Sequence, residues 1–192
     1  FTLSKYHPVG IMVFGNAELL GVPWESIIKV YRQKAGDRRF DHLDAYAKSF
    51  LDFLNDNVML FPADAQRTHV GRVTHHYFLR IKADIDKRVR EQTDGAATVT
   101  DEQVVAYAQE IIHDHLRGWE DAPLLPTIAA EDILAAIQEY DSVVNEAIAA
   151  VFEALQLPES TRADLHRLSA NLFARTRYVV SPSGAVIAGF GE

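Results

Sequence analysis

Two apolar runs stand near opposite ends of this chain, Val9 to Phe14 (VGIMVF) and Gly184 to Phe190 (GAVIAGF), and most of what lies between them repeats at helical spacing. A short continuous apolar run suits a β-strand covered on both faces. A buried strand must also be paired along its edges, because backbone N–H and C=O groups cannot be left without partners. Only the eight residues from Phe1 to Pro8 precede the first run, and two residues follow the second. The two runs therefore read as strands of one sheet with a helical block inserted between them, in a chain that looks cut at both ends. The fold class that follows is α+β, predominantly helical.

Composition narrows what such a chain does. At 192 residues, with 48% hydrophobic and 24% charged, it is globular material for one domain or at most two. No apolar segment approaches the roughly 18 to 20 residues that span a bilayer, and no charged-then-apolar leader opens the chain. No membrane partner and a cytoplasmic location are expected. The absence of cysteine excludes disulfides, thiolate catalysis and thiolate metal sites from these residues. A net charge of -8 argues against a nucleic-acid partner, which would require a basic surface. The charge is unevenly placed: residues 64–92 carry seven bases against four acids, whereas residues 101–159 carry thirteen acids and the single base Arg117. Solvated helix faces explain such runs most simply, and a docking face for a basic partner is the sharper alternative.

Local signals divide the chain further. Val9 to Glu18 (VGIMVFGNAE) reads as a strand that stops at a small-residue turn and leads at once into a helix. Pro23 is placed at the first helical position, and Trp24, Ile27, Ile28 and Tyr31 follow at helical spacing up to Gly36. Asp41 is the expected cap of a second helix with the stripe Leu43, Tyr46, Ala47, Phe50, Leu51 and Leu54. One long helix is predicted from Ala63 to Thr93, broken by Asp94-Gly95. Thr100 and Gln103 form a capping-box signature for the next, and further helices are predicted from Glu131 to Leu155 and after Pro158. Strand character returns at Tyr178-Val179-Val180, and Ser181-Pro182-Ser183-Gly184 is a turn by composition.

The chemistry-bearing residues form no complete site. Glu110 and His113 share a helix face, but a carboxylate-bridged dimetal site needs two such motifs and two further glutamates, and here there is one motif. His115 lies on the apolar stripe and reads as a core or interface histidine, while His75 and His76 diverge by about 100° on a helix. Asp84 and Asp86 also diverge. No metal and no cofactor are expected, since no phosphate loop, dinucleotide fingerprint or nucleophile elbow is present.

Taken in order, FTLSKYHPVGIMVFGNAELLG, PWESIIKVYRQKAG, the helix from Asp41 through AYAKSFLDFL, and SGAVIAGFGE resemble part of the proteasome-like N-terminal nucleophile hydrolases. In that family an apolar strand ends in a Gly-small-small-acid turn, two long helices follow, and a glycine-ended strand of the form GxxIAGFD comes next. The resemblance covers residues 1–57 and 182–192. It implies part of an αββα sandwich, with strands near 9–15 and 177–190. Within a single incomplete domain, residues 1–57 and 177–192 would form the hydrolase-like core and 58–176 a helical insertion. The family passes through that point by a short connection, so the long insertion is a departure.

The resemblance also implies an activity, hydrolysis of a peptide or amide bond by a nucleophile at the head of the processed chain. Phe1 cannot fill that role, and Thr2, Ser4 and Lys5 sit too close to the Val9 strand to be the family's threonine and lysine. The nucleophile is then expected upstream of Phe1, and these residues alone would be inactive. The Gly15 backbone N–H corresponds to the oxyanion-hole donor, with Asn16, Ala17 and Glu18 lining the rim. A glycine needed only for a tight turn explains Gly15 equally well. A homo-oligomer is expected, with the basic face of the long helix meeting acidic helices of a second copy. The competing class is a non-enzymatic helical scaffold or interaction module with an acidic docking face.

Overall fold

A computed structural model describes residues 1–4, 8–93, 98–177 and 183–189. In chain order the elements are β1 (Val9–Phe14), β2 (Glu18–Leu19), β3 (Val22–Pro23), α1 (Trp24–Ala35), α2 (Leu43–Asp56), α3 (Ala63–Thr93), α4 (Asp101–Glu120), α5 (Ala130–Glu139), α6 (Asp141–Phe152), α7 (Glu159–Ala174) and β4 (Gly184–Gly189). The class is α+β and predominantly helical. The chain divides into two units, one formed by Phe1–Gln66 with Val180–Glu192 and the other by Arg67–Val179.

In the first unit β1 pairs antiparallel with β4, Val9 opposite Gly189 and Phe14 opposite Gly184. The two apolar runs at the ends of the chain thus share one sheet. The other edge of β1 has a neighbour as well, supplied by the few residues that precede Val9. The Ile11 N–H donates to the Phe1 carbonyl at 2.7 Å, the Phe1 amine donates to the Ile11 carbonyl at 2.9 Å, and the Leu3 N–H donates to the Val9 carbonyl at 2.8 Å. Phe1–Leu3 therefore folds back along the start of β1.

The expectation of a strand covered on both faces needs correction. Val9 and Ile11 are buried in a core with Trp24, Ile27, Ile28 and Phe50, whereas Met12 and Phe14 on the opposite face are 63% and 55% exposed. Val186, paired with Met12, is exposed beside them. Helices cover one side of this sheet, and its other side is an apolar face open to solvent among the described residues.

Helix does not follow the Gly15 turn at once. A small hairpin intervenes, with Glu18 opposite Pro23 and Leu19 opposite Val22. Its two turn residues, Leu20 at φ 52° and Gly21 at φ 81°, both lie in the left-handed region, as the twist of a two-residue hairpin demands. A leucine there costs about 1–2 kcal/mol, offset by packing of its side chain on the core. Pairing with Glu18 holds Pro23 at ψ 135°, so it precedes the helix as N-cap instead of occupying the first turn. Gly36, at φ 57°, ends α1 and returns its N–H to the Arg32 carbonyl at 3.1 Å. The N-cap of α2 is His42, not Asp41, and the buried face is Tyr46, Phe50 and Phe53, while Leu43 and Leu51 point outward. Tyr31 selects that face by meeting Phe50 and Phe53 edge-on, at ring separations of 5.1 and 5.3 Å.

Among the described residues, helices are the regular elements of the second unit, with one isolated β-bridge between Leu124 and Arg175. The 31-residue α3, about 45 Å long at 1.5 Å per residue, buries Val70, Val73, Tyr77, Ile81 and Ile85, as its spacing predicts. Thr100 and Gln103 close the capping box of α4 from both sides. The helix expected from Glu131 to Leu155 is two helices. Tyr140, at φ -102° and ψ 14°, breaks it, because α5 buries no residue fully whereas α6 drives Val144, Ala147, Ile148 and Phe152 into the core. α7 contributes Leu165, Leu168 and Leu172 to the same core. The expected break at Asp94-Gly95, the strand at Tyr178-Val179-Val180, and the Ser181, Pro182 and Phe190 positions lie outside the described residues.

Candidate functional site

The end of β1 combines three properties. First, Gly15 has φ 87°, a conformation for which glycine is the default residue. Second, Gly15, Asn16, Ala17 and Glu18 are all exposed. Third, the hydrogen-bond parity of the strand aims particular N–H groups at its free edge. In an antiparallel pair alternate residues exchange hydrogen bonds with a given neighbour. Ile11 uses its N–H and carbonyl on Phe1, so Gly10, Met12 and Phe14 face β4. The N–H groups of Val13 and Gly15 then point to the opposite edge, beyond the stretch that Phe1–Leu3 covers. The Gly15 N–H has no hydrogen-bond partner among the described residues.

The neighbouring groups are engaged. The Asn16 N–H donates to the Ser183 hydroxyl oxygen at 2.9 Å, and the Ala17 carbonyl accepts the Trp24 N–H at 3.1 Å. These bonds anchor the turn on the C-terminal side of Gly15. Of the four residues singled out by sequence, the rim members Asn16 and Ala17 therefore act through backbone groups already in use, and Glu18 sits in β2. By composition Ser183 is only part of a turn. The register that sets Phe14 opposite Gly184 brings it to Asn16, and no local signal announces a partner 167 residues away.

Beside the hairpin lies a groove of about 380 Å³, lined by Leu19, Leu20, Leu51 and Phe61 together with the amides of Asn55 and Gln66.

A second constellation lies in the helical unit. Trp119 Nε1 donates to Tyr77 Oη at 2.7 Å, Tyr77 Oη is 2.9 Å from His115 Nδ1, and His115 Nε2 is 3.0 Å from Asp84 Oδ2. Because the tyrosine oxygen already accepts from tryptophan, its O–H donates to Nδ1, which leaves the His115 proton on Nε2 facing the carboxylate. Tyr77 and Trp119 are buried, so the chain is a core tie that reaches the surface only at Asp84. Asp86 turns to Lys82, so the two aspartates do diverge. His113 faces Asp164 at 3.9 Å and forms no pair with Glu110. Among the described residues no three of His, Asp and Glu converge as a metal site would require, and no helix is long and apolar enough to cross a membrane.

Comparison with protein-family models, with curated proteins and with solved structures finds no match.

Proposed function

We propose that β1 and the Gly15 turn form one wall of an amide-bond hydrolase site of the proteasome-like N-terminal nucleophile type. The observation that carries this reading is the exposed Gly15 at φ 87°, whose N–H points away from β4 and has no hydrogen-bond partner among the described residues. An extended peptide can add to such an edge through main-chain hydrogen bonds. When a hydroxyl attacks the peptide carbonyl, negative charge develops on its oxygen, and a fixed N–H at that point stabilises it. Collapse of the tetrahedral intermediate expels the amine, and water then releases the acyl group from the nucleophile. On this reading the nucleophile belongs to strands that the family sets ahead of Phe1. The apolar face of Met12, Phe14 and Val186 supports the same reading, since a sandwich needs a second layer on that side.

The test uses the parent protein together with whatever residues are encoded before Phe1. Incubation with peptide epoxyketones and β-lactones, which capture amino-terminal hydroxyls, is expected to yield one stoichiometric adduct on an amino-terminal residue. Lack of any adduct with several such probes overturns the reading. Cleavage of fluorogenic peptides is expected to fall in Gly15→Ala, with a thermal melt run in parallel to separate lost fold from lost activity.

Assembly as a homo-oligomer through the helical block belongs to the same proposal. Removing residues 64–175 is expected to lower the oligomeric mass, and an unchanged state counts against it.

A scaffold role is the second reading, favoured by α5. That helix buries no residue fully, Leu134 is 63% exposed, and Glu131, like Glu146 and Glu153 on and after α6, makes no ion pair among the described residues. Capture of a basic partner that is lost on charge reversal at Glu131 and Glu139, with no probe adduct, supports it over catalysis.

A further inference from the structure

Within the first unit, a cleft of about 490 Å³ opens between α1 and α2. Its floor is aromatic. Tyr31 and Phe53 are buried there, and the Tyr31 hydroxyl is fixed by donation to the Ser49 hydroxyl oxygen at 3.1 Å. The two walls differ in charge. The wall from α1 and the segment after it carries Lys34 and Arg38, whereas the α2 wall carries Asp52 and Asp56 together with Lys48.

Part of this charge is already neutralised, since Lys48 pairs with Asp52 at 2.9 Å. The remainder is not. Lys34 stands 5.5 Å from the Phe53 ring centre, and neither it nor Arg38 makes an ion pair among the described residues. The Asp56 carboxylate accepts from the side-chain amide of Asn55 at 3.5 Å and makes no ion pair among the described residues. The cleft thus offers two uncompensated cations on one side, one uncompensated carboxylate on the other, and an apolar floor between them. A simple anion is repelled by one wall and a simple cation by the other. A ligand with opposite charges at its two ends satisfies both.

We propose that this cleft binds a small zwitterion with an aromatic body, an aromatic amino acid or a dipeptide with free ends. The carboxylate lies toward Lys34 and Arg38, the ammonium toward Asp56, and the ring on Tyr31 and Phe53. The volume falls within the 300–1,000 Å³ common for small-molecule sites. Because the walls are exposed to water, each ion pair adds little and binding is weak. Nothing in this site depends on the amide-hydrolase reading.

The test is a titration of the ¹⁵N-labelled 192-residue chain, followed by backbone amide shifts, with L-phenylalanine, N-acetyl-L-phenylalanine and L-phenylalaninamide as probes. Phenylalanine is expected to give saturable shifts at Lys34, Ser49 and Phe53, and each blocked analogue to bind about fivefold more weakly, the weight of one exposed ion pair. Asp56→Asn is expected to weaken phenylalanine and its amide while leaving the N-acetyl form unchanged. Combined Lys34→Gln and Arg38→Gln is expected to weaken phenylalanine and the N-acetyl form while sparing the amide. All three residues are exposed, and dispersed spectra of the variants establish that they fold. Absence of saturable shifts up to the solubility limit of phenylalanine overturns the proposal. Equal affinity for all three probes also overturns it, because the cleft is then an aromatic pocket without dipolar selectivity.

Discussion

Tyr77 shows how much one hydroxyl carries in this protein. Its oxygen serves Trp119 and His115 at once, and both lie in or beside the helical core. Tyr77→Phe keeps the ring and removes the hydroxyl, leaving a buried indole N–H and an imidazole nitrogen without partners. A loss of about 1–3 kcal/mol is expected by chemical denaturation, with a smaller loss in Asp84→Asn, whose carboxylate is half exposed. His69 gives a pH dependence. Burial, and secondarily the Arg72 guanidinium, hold its pKa below the ordinary 6.5. Between that lowered value and 6.5 the unfolded chain binds more protons than the folded one, so stability rises with pH across the window. His69's share of stability is complete above pH 6.5 and is lost as pH falls toward its folded value. In His69→Gln, melting temperature followed from pH 7 downward is expected to decline less steeply.

At the scale of elements, the contacts that join them are polar or close-packed as well as apolar. The Thr74 hydroxyl on α3 meets the Ser169 hydroxyl on α7 at 2.8 Å, both fully enclosed. Thr74→Val alone strands the serine and is expected to cost about 1–3 kcal/mol, whereas adding Ser169→Ala recovers much of it; a double-mutant cycle by urea denaturation reads the coupling. In the sheet, a Cβ on Gly184 would come within 2.2 Å of the Phe14 ring. Gly184→Ala must displace that cross-strand ring and is expected to destabilise by about 0.2–1 kcal/mol. In a Phe14→Ala background the effect is expected to vanish. Helix caps and stripes needed only local information: the Thr100 box and the α3 stripe are legible because their partners lie three or four residues apart. The α2 stripe read from spacing includes Leu43 and Leu51, which turn outward, and omits Phe53, which is buried, because Tyr31 on another helix decides which side turns inward.

Taken whole, the described residues form two hydrophobic cores, one around Ile27, Tyr31, Phe50 and Phe53 and one around Phe78, Ile81, Ile112 and Leu165. The second is built entirely from residues contiguous in sequence. A fragment spanning residues 63–177 is therefore expected to keep its helical circular dichroism and a cooperative melt. The first core includes β1, whose partner β4 comes from the far end, so a 1–62 fragment is expected to lack cooperative unfolding until a peptide containing residues 183–189 is added.

The α+β class, the insertion of helices between two end strands, the bounds of α3 and the capping of α4 were determined by the sequence itself, because each rests on periodicity or on side chains within one or two turns. Gly15 was likewise marked by its place between an apolar run and small residues. Tertiary structure alone decided that Phe1–Leu3 covers part of β1, that Met12, Phe14 and Val186 on the other sheet face are exposed, and that Ser183 holds the Asn16 amide. It also joined Asp84 to His115 and set Lys34 and Arg38 across a cleft from Asp56. In each case the partners are separated along the chain, and which groups meet depends on how strands pair and helix faces turn, not on the spacing of residues within any one element.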